Sequence, residues 1–157
     1  AKDSEWIPSN KDKYLKKRGR WVLELPNEYK KNIRTAGFQA TPARIYGTRG
    51  YFSKKINNRV VRMWDFTEEQ YQALIKLCIG INKLLPRIKL QVPFDKNSGR
   101  HPLNRLKNYS NFSGILGHAH VQKGDNGLEC KYDPGSAFNW ARLKKAFNSS
   151  TRGSTSS

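Results

Sequence analysis

The sequence predicts an α/β domain. Three observations carry that expectation. The stretch "FTEEQYQALIKLCIGINKLL" has the 3.6-residue apolar period of an amphipathic helix. Short runs rich in β-branched and aromatic residues lie on either side of it. A second amphipathic stretch, "SAFNWARLKKAF", lies near the C-terminus. A chain of 157 residues suits one domain with its own core. Only 36% of it is hydrophobic, but four Trp and 11% aromatic residues exclude a wholly disordered chain.

Residues 1–20 are polar and basic without a sustained period, and read as an extended N-terminal arm. "WVLEL" (Trp21–Leu25) opens residues 21–147, the expected domain, as a short strand ended by Pro26 and Asn27. Residues 28–49 read as loops or a short helix. "YFSKK" and "INNRVVRMW" flank Asn57-Asn58 and suggest a hairpin. Thr67 and Gln70 have the spacing of a capping box at the start of the long helix. Its inner face is expected to be Tyr71, Leu74, Ile75, Cys78, Ile81 and Leu85, and Pro86 ends it. "IKLQVPF" (Ile88–Phe94) reads as a strand and residues 95–111 as a long loop. "FSGILGHAH" (Phe112–His120) reads as a small apolar strand running into a His-bearing motif. Residues 136–147 form the last helix, with Phe138, Ala141, Leu143 and Phe147 as inner positions. Residues 148–157 have the composition of a disordered tail.

The net charge of +18 concentrates anionic partners near the surface. Nucleic acid, anionic wall polymers and lipid head groups all qualify. No apolar run reaches the roughly eighteen residues needed to cross a bilayer, and no signal peptide is visible. Neither of the two cysteines, Cys78 and Cys130, belongs to a CxxC pair, which argues against a zinc finger.

The densest chemistry lies in "GHAHVQKGDNGLECKYDPGSAFNWARL" (Gly117–Leu143). His118 follows a glycine at an expected strand end, and Asp133 heads an Asp-Pro-Gly turn before a helix. An imidazole and a carboxylate are good zinc ligands, and a catalytic zinc keeps one position open. Lys131, two residues before Asp133, shares a face with it along extended chain and could stabilise an oxyanion. The plainer reading is a basic surface loop with a routine turn.

Gly117-His118, Lys131-Tyr132-Asp133-Pro134-Gly135 and Phe138-Asn139-Trp140 together resemble the C-terminal signature of the type 2 zinc N-acetylmuramoyl-L-alanine amidases. Those enzymes share a fold with the peptidoglycan recognition proteins. The helix opening "FTEEQ" and the strand "RWVLELPN" also resemble family elements. The resemblance covers roughly residues 20–147. It implies a mixed central β-sheet flanked by helices. It also implies zinc held by His118 and Asp133, with Glu24 as the general base for the attacking water and Lys131 stabilising the tetrahedral intermediate. The implied substrate is peptidoglycan or a muropeptide, cut between N-acetylmuramic acid and L-alanine. The implied location is secreted or in the cell envelope.

Two departures qualify this. His118 and Asp133 are 15 residues apart, longer than the usual family spacing, with a Gly/Asp/Asn-rich stretch between them. His120 competes with His118 as the ligand, and His118 is favoured because it follows the glycine. Cys130 reads as a bystander. More seriously, the family's first zinc ligand, a histidine on the first strand, has no counterpart here. His101 is the only other histidine, and it lies in the wrong place. A sheet lacking that strand would expose an unpaired edge.

The favoured expectation is a second chain, such as the other product of precursor cleavage, that supplies the strand and the histidine. The Ala1 start and the basic first twenty residues fit that expectation. The alternatives are a partial chain, or a catalytically inactive subunit that uses its basic surface for nucleic acid or wall polymers. In the latter case, the aromatic-interleaved basic run around residues 43–64 would hold phosphates and stack on bases.

Overall fold

A computed structural model describes residues 14–23, 31, 39–122 and 131–153. Strand β1 (Tyr14–Lys17) pairs antiparallel with β2 (Arg20–Leu23). The tight turn between them is made possible by Arg18 and Gly19, both at positive φ. The segment read as an arm therefore contributes a strand. Trp21 lays its ring against Trp64, with centroids 4.7 Å apart, and Val22 is buried. Gly50 lets the chain pass against that ring pair. A Cβ there would collide with the Trp64 ring and come within 2.9 Å of Trp21 Nε1.

The second ribbon matches the sequence. Strand β3 (Phe52–Ile56) pairs with β4 (Arg59–Met63), with Ile56 opposite Arg59. Asn57 and Asn58 both adopt positive φ, as a two-residue turn between right-twisted strands requires. Asparagine tolerates that conformation better than most residues. Helix α1 (Glu68–Leu84) carries the expected capping box. Thr67 Oγ1 accepts from Gln70 N–H, and Gln70 Oε1 accepts from Thr67 N–H. Tyr71 and Cys78 are buried on its inner face, with Leu74 and Ile75 packed beside them. Leu85 is exposed, since it lies beyond the helix end.

Three expected elements differ. The strand at 88–94 does not form. Its side chains alternate as predicted, with Leu90 and Val92 turned inward and Lys89 and Gln91 outward. Its neighbour is the segment 112–117, also expected to be a strand. The two are joined by Ile115 N–H to Gln91 O (2.9 Å) and by Gln91 Nε2–H to Ser113 O (2.6 Å), which is too little for a ladder. Residues 118–121 then turn into a short helix, α2 (His118–Val121), instead of continuing extended.

The last helix, α3, spans Trp140–Gly153 and so takes in residues assigned to a disordered tail. Trp140, Leu143 and Phe147 share its inner face at spacings of three and four. Ala141 is a quarter turn away and is exposed. Phe138 is buried, but it precedes the helix.

These elements close one main core. Tyr71 and Cys78 of α1 meet Phe138, Trp140, Leu143 and Phe147, with Val92 beneath. A smaller cluster of Ile56, Val61 and Ala119 joins the β3–β4 ribbon to α2, with Tyr132 packed against it. Among the described residues the strands form two separate antiparallel ribbons, and the mixed central sheet implied by the resemblance is not formed. The coarser expectation of an α/β domain stands.

Candidate metal centre

The site is built from two turns pressed together. Gly117 places α2 directly on the Asp133–Pro134 turn. A Cβ on Gly117 would collide with Pro134 Cδ and reach within 3.0 Å of Asp133 O, so no larger residue fits. Ala119 N–H then donates to Asp133 O (3.1 Å) and fixes the two turns in register. His118 Nδ1 and Asp133 Oδ2 consequently stand 2.5 Å apart, hydrogen-bonded to each other, on side chains 60% and 63% exposed. Two residues 15 apart in sequence thus present an imidazole nitrogen and a carboxylate oxygen at one open point of the surface.

His120 is the opposite case. It is 1% exposed, and its ring is used up internally. Nδ1 accepts from Gly117 N–H (3.1 Å), Nε2 donates to Pro102 O (2.9 Å), and the ring lies 4.9 Å from that of Trp140. Those two bonds assign the neutral tautomer. Burial lowers its pKa, partly offset by the Pro102 carbonyl. His120 therefore holds the motif in shape while His118 faces solvent. His101 gives its Nδ1 to Pro93 O (2.6 Å), in the loop before Leu103.

Lys131 is exposed two residues before Asp133. Among the described residues, no hydrogen bond or ion pair ties its ammonium to His118 or Asp133. Its carbonyl is held by Asn57. Glu24, expected as the base, and Cys130 lie outside the described residues; β2 ends at Leu23, just before Glu24.

Two supports of this site escaped the sequence reading. Asn57 reads from sequence only as a turn residue, yet through four bonds it clamps three segments. Its Nδ2 donates to Ala119 O (3.0 Å) and Lys131 O (3.3 Å), its Oδ1 accepts from Arg105 N–H (2.9 Å), and its own N–H donates to Asn104 Oδ1 (2.8 Å).

The second support is a buried charge network beneath residues 136–139. Asp65 is 2% exposed. It accepts from Arg44 Nε (2.6 Å), Arg44 Nη2 (3.3 Å), Tyr71 Oη (2.5 Å) and Phe66 N–H (3.0 Å). Arg44 also donates to Ala137 O, and Asn139 N–H donates to Tyr71 Oη (2.9 Å). Ser136 Oγ donates to Phe52 O (3.2 Å). Burial works against the Arg44 charge, but the Asp65 bonds outweigh it and raise its pKa. Burial and then the Asp65 bond push the Tyr71 phenol up, so it stays a donor. The only advance signal was an Arg, an Asp and a Tyr flanking the helix start.

Zinc suits the donor pair, since neutral imidazole nitrogen and carboxylate oxygen are both normal zinc ligands. Among the described residues, no third His, Cys, Asp or Glu completes a group of three. The fit is therefore two of the three protein ligands a catalytic zinc uses. Comparison with known proteins found no family model, no curated protein and no solved structure that matches this chain.

Proposed function

We propose that the chain is part of a zinc-dependent N-acetylmuramoyl-L-alanine amidase with the type 2 amidase fold, acting on peptidoglycan or muropeptides. The observation that carries this reading is the convergence of His118 Nδ1 and Asp133 Oδ2, 2.5 Å apart and solvent-facing. These are the two residues the motif resemblance marks as ligands. Gly117 and Pro134 serve the approach sterically, which accounts for a glycine before the histidine and a proline after the aspartate.

His118 and Asp133 would hold two zinc positions. A histidine from a second chain would hold the third. Zinc, when bound, supplies a Lewis acid that polarises the scissile carbonyl and acidifies water. Glu24 would take the proton from the attacking water and hand it to the leaving amine. The Lys131 ammonium, free of ion pairing with Asp133, would swing to the oxygen that gains negative charge. The exposed basic surface would hold the enzyme on anionic wall polymers.

The test is cleavage of a defined muropeptide by the natively purified assembly, read by mass spectrometry as release of the L-alanine-terminated peptide. Chelation should stop release and zinc restore it. The Glu24→Ala protein should keep its zinc and lose cleavage. An active Glu24→Ala protein would remove Glu24 as the base.

A further inference from the structure

Two hollows lie beside α3, and neither is lined by His118, Lys131 or Asp133, although Arg44 and Asn139, which help hold residues 136–139, line one of them. One, of about 510 Å³, is lined by Arg44, Lys54, Arg100 and His101 over a floor of Leu103, Phe138 and Trp140. The other, of about 520 Å³, is lined by Phe94, His101, Lys144 and Lys145. They adjoin at His101 and Ala141, which line both. Among the described residues, no Asp or Glu lines either one. Among the described residues, no carboxylate pairs with Lys54, Arg100, Lys144 or Lys145. Of the two acids nearby, Asp65 is committed to Arg44, Tyr71 and Phe66 N–H, and Asp95, across a β-bridge from Arg100, accepts from Asn97 N–H and Ser98 Oγ.

Gathering cations without counter-charges is unfavourable unless a ligand supplies the negative charge. The molecule already shows that cost, because partial burial and then the Arg44 charge push the Lys54 pKa down. Lys144 relieves its own charge by lying over the Phe94 ring, 3.0 Å from the centroid. Each hollow falls within the roughly 300–1,000 Å³ of ordinary ligand sites. A single carboxylate would leave most of these cations unmatched. A group with several charged oxygens would meet a guanidinium fork at Arg100 and point charges at the lysines.

We propose that the two hollows form a binding site for a ligand bearing more than one phosphate, seated between Lys54 and Arg100 on one side and Lys144 and Lys145 on the other. The site is independent of the His118–Asp133 pair and stands whether or not the chain is an amidase. The phosphates could belong to a small polyphosphate or to successive positions of a nucleic-acid strand.

The experiment measures binding of inorganic tripolyphosphate and of a short oligothymidylate to the full chain at about 0.1 M salt, where screening beyond ~10 Å suppresses the general surface field. The Lys54→Gln/Arg100→Gln/Lys145→Gln protein should lose at least about tenfold in affinity, because charge-assisted bonds are removed. A protein with the same charge change outside the hollows, Lys76→Gln/Lys83→Gln/Lys89→Gln, should lose less than about threefold, as only the diffuse field changes. An oligothymidylate that binds more tightly than tripolyphosphate at equal phosphate count would identify a strand as the source. Equal or weaker binding would identify a small polyphosphate.

Equal losses in the two variants would overturn the proposal, since net charge alone would then explain binding. Failure of the parent protein to bind either probe below ~1 mM would do the same. As a check free of folding effects, tripolyphosphate should shield Lys54, Lys144 and Lys145 of the parent protein from acetylation, read by peptide mass spectrometry. Unaltered acetylation there would also overturn the proposal.

Discussion

Replacing Asp65 by alanine should destabilise the domain strongly and loosen the metal centre with it. Its side chain is 0% exposed and accepts four hydrogen bonds, two of them from Arg44. The alanine leaves a guanidinium, a phenol and a backbone N–H without their acceptor. Removing one partner of a buried ion pair costs roughly 3–5 kcal/mol. The Arg44 side chain is 37% exposed, so water can partly replace the lost carboxylate. That places the expected loss near the lower end, about 3 kcal/mol. In urea, with a slope of roughly 2 kcal/mol per molar, the midpoint should fall by about 1.5 M. Trp fluorescence and far-ultraviolet circular dichroism should report the same transition. Because Arg44 and Tyr71 also hold Ala137 O and Asn139 N–H, zinc affinity should fall as well. Asp65→Asn keeps the shape and some acceptor capacity, and should lose less. An Asp65→Ala protein within about 1 kcal/mol of the parent would refute the assignment of this network as the anchor of residues 136–139.

Other changes separate site from scaffold. Gly117→Ala should cut zinc affinity while leaving helix content unchanged, because its Cβ pushes the Pro134 ring and with it Asp133 away from His118; titration of zinc against a competing chelator reads this. Phe147→Ala, at a 0% exposed core position, should cost about 3–5 kcal/mol in urea unfolding. Asn57→Gly preserves the positive-φ turn but removes the clamp on Ala119 and Lys131, so zinc binding should weaken more than stability falls. The Arg142 bond, and after it the Gln72 bond, lower the Glu68 pKa to about 2. Because the folded value is depressed, the stabilisation is present above the unfolded pKa of about 4.3 and is lost as pH falls from there toward 2. Its size is reduced by solvent screening at this exposed site. Glu68→Gln should flatten that part of the stability–pH curve, and an unchanged curve would discount the pair.

The parts of the fold that were legible in the sequence are those set by neighbours along the chain. The capping box at Thr67 and Gln70, the period of α1 and the Asn57-Asn58 turn all depend on residues within a few positions of each other. What was not legible depends on distant partners. Residues 88–94 alternate correctly, but whether they join a ladder is decided by segment 112–117, which shares too few bonds with them. Helix α3 runs past Phe147 although "NSST" is a poor helix composition. Ser149 and Thr151 turn their hydroxyls back onto the carbonyls of Lys145 and Phe147 instead of competing with the helix.

In the site, the glycine-first order favours His118 over His120 in the sequence, and in the structure His120 is buried while His118 faces solvent. The roles of Asn57 and Asp65 come from side chains that reach across 48 to 74 residues of sequence in one case and 21 in the other. No local pattern marks them.

The most direct test of the central claim is elemental analysis of the natively purified protein, with mass spectrometry of every chain that accompanies it. The account predicts one zinc ion per assembly, a partner chain that supplies a histidine, and loss of the metal in both His118→Ala and Asp133→Ala. An assembly without zinc, or one that keeps its zinc when His118 is replaced, would contradict it.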